Sequence, residues 1–197
     1  MKAFHEVRNY RSDFMVWQCA YTNISFLAHW HQEIELVYLR SGSARFCINE
    51  HNFTARAGDL VLIDTGDIHY SDSSEMKNEL DFLIFDPSVV SPLYRHSNFA
   101  HPLITAKTLE NWGLTRELGK SFKTTHTELA AQKPYYQEIV TATLRSFWYR
   151  LREFFPGRPR KPPGTAVPTC WRKCSSFSPI WTPTTARTSP FPSPRKR

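Results

Sequence analysis

Apolar and polar positions change their period twice along this chain. Up to about residue 90 the pattern is that of strands. Val16 to Tyr21 is rich in strand formers, His29 to Leu39 closes on Ile34-Glu35-Leu36-Val37-Tyr38-Leu39, and Ala44 to Asn49 alternates after an interruption at Gly42. Glu50-His51-Asn52 reads as a turn before Phe53-Thr54-Ala55. Leu60-Val61-Leu62-Ile63 is a short apolar run, and Leu80 to Phe85 is stopped by Asp86-Pro87. Short strands at this spacing, separated by turn residues, predict a sandwich or barrel. From about residue 107 the period becomes helical. Tyr136, Ile139, Val140, Leu144, Phe147, Leu151 and Phe155 lie on one face, with Pro134 just ahead of the helix start. Leu109 to Leu129 forms a weaker amphipathic segment interrupted by Gly113 and Gly119. These helices either cap the barrel or present a wide aromatic stripe to a second copy. Beyond residue 155 no hydrophobic period survives, and the composition predicts disorder.

Charge changes how the chain divides. The chain of 197 residues has a formal net charge of +7. Residues 158–197 hold 9 of its 25 Lys and Arg and none of its 18 acids, so residues 1–157 carry −2. The basic character therefore belongs to the Pro-rich end, and it is no argument for a DNA-binding face on the globular part. No stretch is apolar for long enough to span a membrane, and Met1 to Tyr10 lacks the apolar core of a signal peptide. A cytoplasmic protein is expected. Cys19 and Cys47 lie in strand-like runs and read as buried hydrophobes; Cys170 and Cys174 have no partners completing a zinc set.

The chemistry concentrates in His29-Trp30-His31-Gln32-Glu33-Ile34-Glu35. On a strand, alternate residues share a face, which puts His29, His31, Glu33 and Glu35 together. Four ionisable groups on one face are costly unless the face is solvated, metal-bound or ligand-bound. A third histidine, His69, follows the Gly-containing turn after Leu60–Ile63. Taken alone, these residues also suit a polar pocket lining (His29, His31), a turn cap (His69) and a solvated rim (Glu33). Tyr38 has the wrong parity to join them.

The spacing resembles the two cupin motifs. His29, His31, Glu35 and Gly42 match the first throughout, except that Asn23 stands at its leading Gly. Gly58, Gly66 and His69 match the second, with Asp64 at its Pro and Ser73 at its Asn. The resemblance implies a mainly β fold: a double-stranded β-helix, or jelly-roll barrel, followed by two α-helices and a disordered C-terminal tail. It implies metal ligation by His29, His31, Glu35 and His69, a set suited to Zn, Ni, Mn or Fe with open positions left over. Wording and element order over residues 10–155 are similar in particular to the sensor half of AraC/XylS-type transcription regulators. That resemblance divides the chain into an effector-binding domain (1–106), a helical dimerisation segment (107–155) and the basic tail (156–197). It implies a small effector, often a sugar, at His29, His31, Glu33, Glu35 and His69, and a homodimer through 107–155. Operator DNA would be a partner only of a full-length form.

The tail lacks the two helix-turn-helix units expected after such helices. Its codons, read one frame over, suggest why. Trp181 followed by Thr182 must then give Asp. Allowed choices from Lys173 onward spell an amphipathic segment, an acidic turn with tyrosine, and Ile-Thr-Leu-Ser-Glu. This string resembles the opening of an AraC-type DNA-binding domain. The tail is expected to be that domain out of frame; the alternative is a genuine basic tail that binds nucleic acid or nothing. For the whole chain, a non-enzymatic sensor is expected. The alternative is a metal-dependent cupin enzyme, a dioxygenase or isomerase, working through the same four ligands.

Overall fold

The computed structural model describes residues 3–10, 13–73, 76–92, 94 and 101–154. The expected disordered tail, Phe155 and the pair Cys170/Cys174 lie outside these residues. Among the described residues, nine strands precede three α-helices: β1 (Phe4–His5), β2 (Val16–Thr22), β3 (Phe26–Trp30), β4 (Ile34–Ile48), β5 (His51–Arg56), β6 (Leu60–Ile63), β7 (His69–Asp72), β8 (Asn78–Phe85), β9 (Leu103–Ile104), α1 (Ala106–Asn111), α2 (Thr115–Ala131) and α3 (Tyr136–Phe154).

The long strand β4 organises the barrel. Its first half, from Ile34 to Gly42, pairs with β6 and β8; its second half, from Ser43 to Ile48, pairs with β5 and β7. One layer is thus β2-β8-β4-β6-β9, and the other is built from β1, β3, β7, β4 and β5. All pairs are antiparallel except β1 with β3. This is the expected jelly-roll.

Side-chain alternation explains the apolar runs. Val37, Leu39, Val61, Ile63, Leu80 and Phe82 point into the barrel core with Phe46 and Ile48. Their neighbours Leu36, Leu60, Leu62, Leu83 and Phe85 point outward, but into a second core made with Leu109, Leu118, Phe122, Val140, Leu144, Phe147, Trp148 and Leu151. The β6–β8 layer is buried on both faces, which is why Leu60–Ile63 is continuously apolar. Most of the apolar stripe of α3 is spent here, inside one chain. No described helix is long and apolar enough to cross a membrane.

Several local expectations change. Gly42 does not end a strand; β4 runs through it with a register shift between Leu39 and Ser41. The run from His29 to Leu39 is not one strand, because the chain leaves the ladder after Trp30 and rejoins it at Ile34. The hairpin after β4 turns at Asn49–Glu50, with His51 already paired to Ile48. The helical zone holds three helices rather than two, since Gly113 separates α1 from α2. Cys47 is buried as expected, but Cys19 is only half-buried.

Candidate functional site

Four pieces of backbone bring the site together. His29 lies near the end of β3, directly opposite His69, the first residue of β7. Glu35 enters from β4, in register with Ile63 and Ile84. His31 sits in the irregular link between β3 and β4. Its carbonyl accepts the Gly66 N–H at 2.8 Å, which ties the first histidine segment to the turn that delivers His69. That turn is itself internally bonded: the Asp64 N–H donates to Asp67 Oδ2 (3.1 Å), and the Thr65 N–H to Asp64 Oδ1 (2.8 Å).

All three imidazoles are buried. Their ring centroids are 4.1 Å apart for His29–His69, 5.0 Å for His31–His69 and 5.7 Å for His29–His31. One ring nitrogen from each lies within 4.8 Å of the other two. His29 and His69 are oriented in the same way: each Nδ1–H donates to the carbonyl two residues earlier, Leu27 at 2.8 Å and Asp67 at 2.9 Å. This fixes the tautomer and turns each Nε2 inward. Glu35 Oε2 stands 3.0 Å from His31 Nε2 and 3.6 Å from His69 Nε2. Among the described residues, His69 Nε2 and His31 Nδ1 are buried without a hydrogen-bond partner. The nearest acid to His31 Nδ1 is Glu33, at 3.4 Å.

The electrostatics follow from burial and contacts. Burial alone would raise the Glu35 pKa, but His31 and His69 outweigh it and hold the carboxyl well below its usual range. Burial pushes the His69 pKa down and is only partly opposed by Glu35. At His29 burial is overcome by Glu6 and the Leu27 carbonyl, and the pKa is raised.

The expected residues divide into two groups. His29, His31, Glu35 and His69 are brought together. Glu33 stands at the side, where the Tyr10 hydroxyl donates to it at 3.2 Å. Their convergence does not come from strand parity, since the ladder is broken between His29 and Glu35. Tyr38, set aside on parity, meets Phe122 of α2. The residue not foreseen is Glu6, whose Oε2 is 3.0 Å from His29 Nε2. No motif marks it, although Phe4, Glu6, Arg8 and Tyr10 recur at the strand period. A separate cleft of about 510 Å³ on the helical side is lined by Phe14, Gln137, Glu138, Thr141, Ala142 and Arg145, and shares no residue with the histidine cluster.

Comparison with known proteins places this arrangement. The model of the AraC-like ligand binding domain matches residues 19–147, which include every histidine and acid of the cluster except Glu6. The chain belongs to this AraC-like family. It is 38% identical over 47 residues to the uncharacterized HTH-type transcriptional regulator YdeC of Bacillus subtilis; the matched part is 24% of this chain and 16% of that protein. The solved structure of a variant of apo ToxT from Vibrio cholerae is similar with a TM-score of 0.49 at 13% identity, over 74% of this chain and 58% of that chain. A mutant of oxalate decarboxylase OxdC from Bacillus subtilis gives a TM-score of 0.34 at 23% identity, over 38% of this chain and 22% of that one. The chain therefore spans about a sixth of the YdeC-type regulator's length. As an AraC-like domain it is a ligand-binding module of the kind carried by transcription regulators.

Proposed function

We propose that residues 1–106 sense a small molecule, a sugar or small acid, at His29, His31, Glu33, Glu35 and His69, and that residues 107–155 pair two copies. The protein then acts as a regulator in the cytoplasm rather than as an enzyme. Operator DNA is a partner only of a full-length form that carries a helix-turn-helix domain. One observation carries the reading: a buried set of imidazole nitrogens and a carboxylate, two of whose nitrogens have no hydrogen-bond partner. Unmet buried polar atoms cost about 1–3 kcal/mol each, which a bound group would recover.

The donor chemistry fits a divalent metal. His29 and His69 have their outer N–H groups pinned to carbonyls, as metal-binding histidines do. Glu35 is held ionised beside His31 and His69. His29, His31, His69 and Glu35 would hold Zn, Ni, Mn or Fe, which would supply a Lewis-acidic point of attachment for a hydroxyl or carboxylate of the effector.

Thermal unfolding of the purified chain with sugars, small acids and divalent metals tests the proposal. A binder at 100 times its Kd adds about 2.7 kcal/mol, and His69→Ala should lose that response. A chain that responds to no compound and no metal, or a His69→Ala variant that responds like the parent, would refute it. The enzyme reading draws on the same residues, of which His29, His31 and His69 lie close enough to hold one ion. Metal-dependent oxygen uptake or sugar isomerisation, lost in His31→Ala, would favour that reading instead.

A further inference from the structure

We infer that Glu6 stands in for the effector: its carboxylate holds the place of a free carboxylate that binds Arg8 and His29 and displaces it. The inference rests on the effector reading above, narrows the effector to an acid, and calls on no metal ion.

The segment before β2 covers the site with alternate side chains. Phe4 stacks on the His29 ring, with centroids 5.5 Å apart and planes 21° apart. Glu6 lies between two nitrogen groups from different parts of the chain. Its Oε1 is 2.9 Å from Arg8 Nη2, and its Oε2 is 3.0 Å from His29 Nε2. The Arg8 guanidinium lies over the Trp17 ring, 5.1 Å from its centroid. Trp17 in turn stacks on Tyr21, with centroids 6.3 Å apart. A guanidinium fork above an aromatic shelf, next to an imidazole, is a receptor for a carboxylate on an apolar body.

Glu6 fills this receptor incompletely. An arginine fork takes a carboxylate best through two parallel N–H bonds. Glu6 meets Nη2, while Arg8 Nε is buried with no hydrogen-bond partner among the described residues. The tether explains the shortfall: the Glu6 N–H donates to the Trp30 carbonyl at 3.0 Å, which limits how its side chain can approach. A free carboxylate has no such restraint. It can meet Nε and Nη2 together and keep a lone pair for His29, so it replaces both contacts that Glu6 gives up and satisfies the buried donor. Glu6 has somewhere to go, since its side chain is 31% exposed and β1 is held to β3 by two register pairs, Phe4↔His29 and His5↔Trp30. A neutral sugar taking the same place would leave Arg8 without its ion-pair partner, so the receptor selects against it.

Butyrate and phenylacetate are the probes, each with its uncharged amide as control. Binding to the full chain is measured by calorimetry at constant ionic strength, and Glu-specific proteolysis after Glu6 is followed by mass spectrometry. The acids should bind where the amides do not, and should speed cleavage after Glu6 as its carboxylate is released. Glu6→Gln removes the internal competitor and should bind the acids more tightly, about tenfold if the parent is closed roughly nine times in ten. Arg8→Gln should lose the binding; Arg8→Lys, which keeps the charge without the fork, should keep part of it. An ion pair that only holds the strand in place predicts unchanged or weaker binding in Glu6→Gln, and that result would overturn the inference. Binding of neutral sugars but of neither acid, lost in His69→Ala, would also overturn it and leave the effector reading standing. A chain that binds no acid and no sugar ends both.

Discussion

Gly42 and Gly66 adopt nearly the same left-handed backbone, with φ of +73° and +74°, yet they answer to different demands. A Cβ on Gly42 would run into the Lys77 carbonyl where β8 crosses β4, whereas a Cβ on Gly66 would meet nothing within 4 Å. Gly66→Ala therefore carries only the left-handed penalty, about 1–2 kcal/mol. Gly42→Ala must also push two paired strands apart and should cost about 3 kcal/mol or more. Urea unfolding of the two variants measures both, and equal losses would contradict the argument. Both glycines were visible in the sequence because they sit at fixed distances from histidines. His29, His31, Glu35 and His69 were legible for the same reason. Glu6 was not: its partner is 23 residues away, and a carboxylate near the N-terminus has no spacing that points to an imidazole. What sequence reasoning could have used is the two-residue rhythm of Phe4, Glu6, Arg8 and Tyr10.

At the scale of elements, strands and helices that bury a full face were readable, and those defined by long-range pairing were not. The cores of β2, β6 and β8 were found because alternation or continuous burial marks them. β3, β7 and β9 have 5, 4 and 2 residues, and only their neighbours in the sheet make them strands. The long α3 was found from its period, but the purpose of its stripe was not. Trp148 shows where the stripe goes: its ring is 2% exposed and meets Phe85 of β8 edge-on and Tyr94 at 5.9 Å. Trp148→Ala should cost about 3–5 kcal/mol in thermal or denaturant unfolding. A loss below 1 kcal/mol would mean that α3 is not part of the barrel's own core.

For the whole molecule, the remaining question is what the outer face of α3 meets. With Val140, Leu144, Phe147, Trp148 and Leu151 turned inward, Ile139, Ala142, Ser146 and Tyr149 are left on the exposed side, with Ile139 41% and Tyr149 54% exposed. If this face pairs two copies, sedimentation velocity at micromolar concentration should show a dimer, and an Ile139→Glu/Tyr149→Glu double variant should sediment as a monomer with an unchanged melting temperature. A parent that sediments as a monomer would remove the pairing proposal and leave the helices as a cap. The site and this face lie on opposite sides of the layer that β4 shares with β6 and β8. Because β4 belongs to both layers, its backbone ties the two walls together along its own length. Of the pieces that β4 does not pair with, the two-residue β1 and the unpaired link of residues 31–33 are the shortest beside the histidines. Phe4 and Glu6 lie against the His29 ring, so a guest that came in on that side would have to move the residues that cover it.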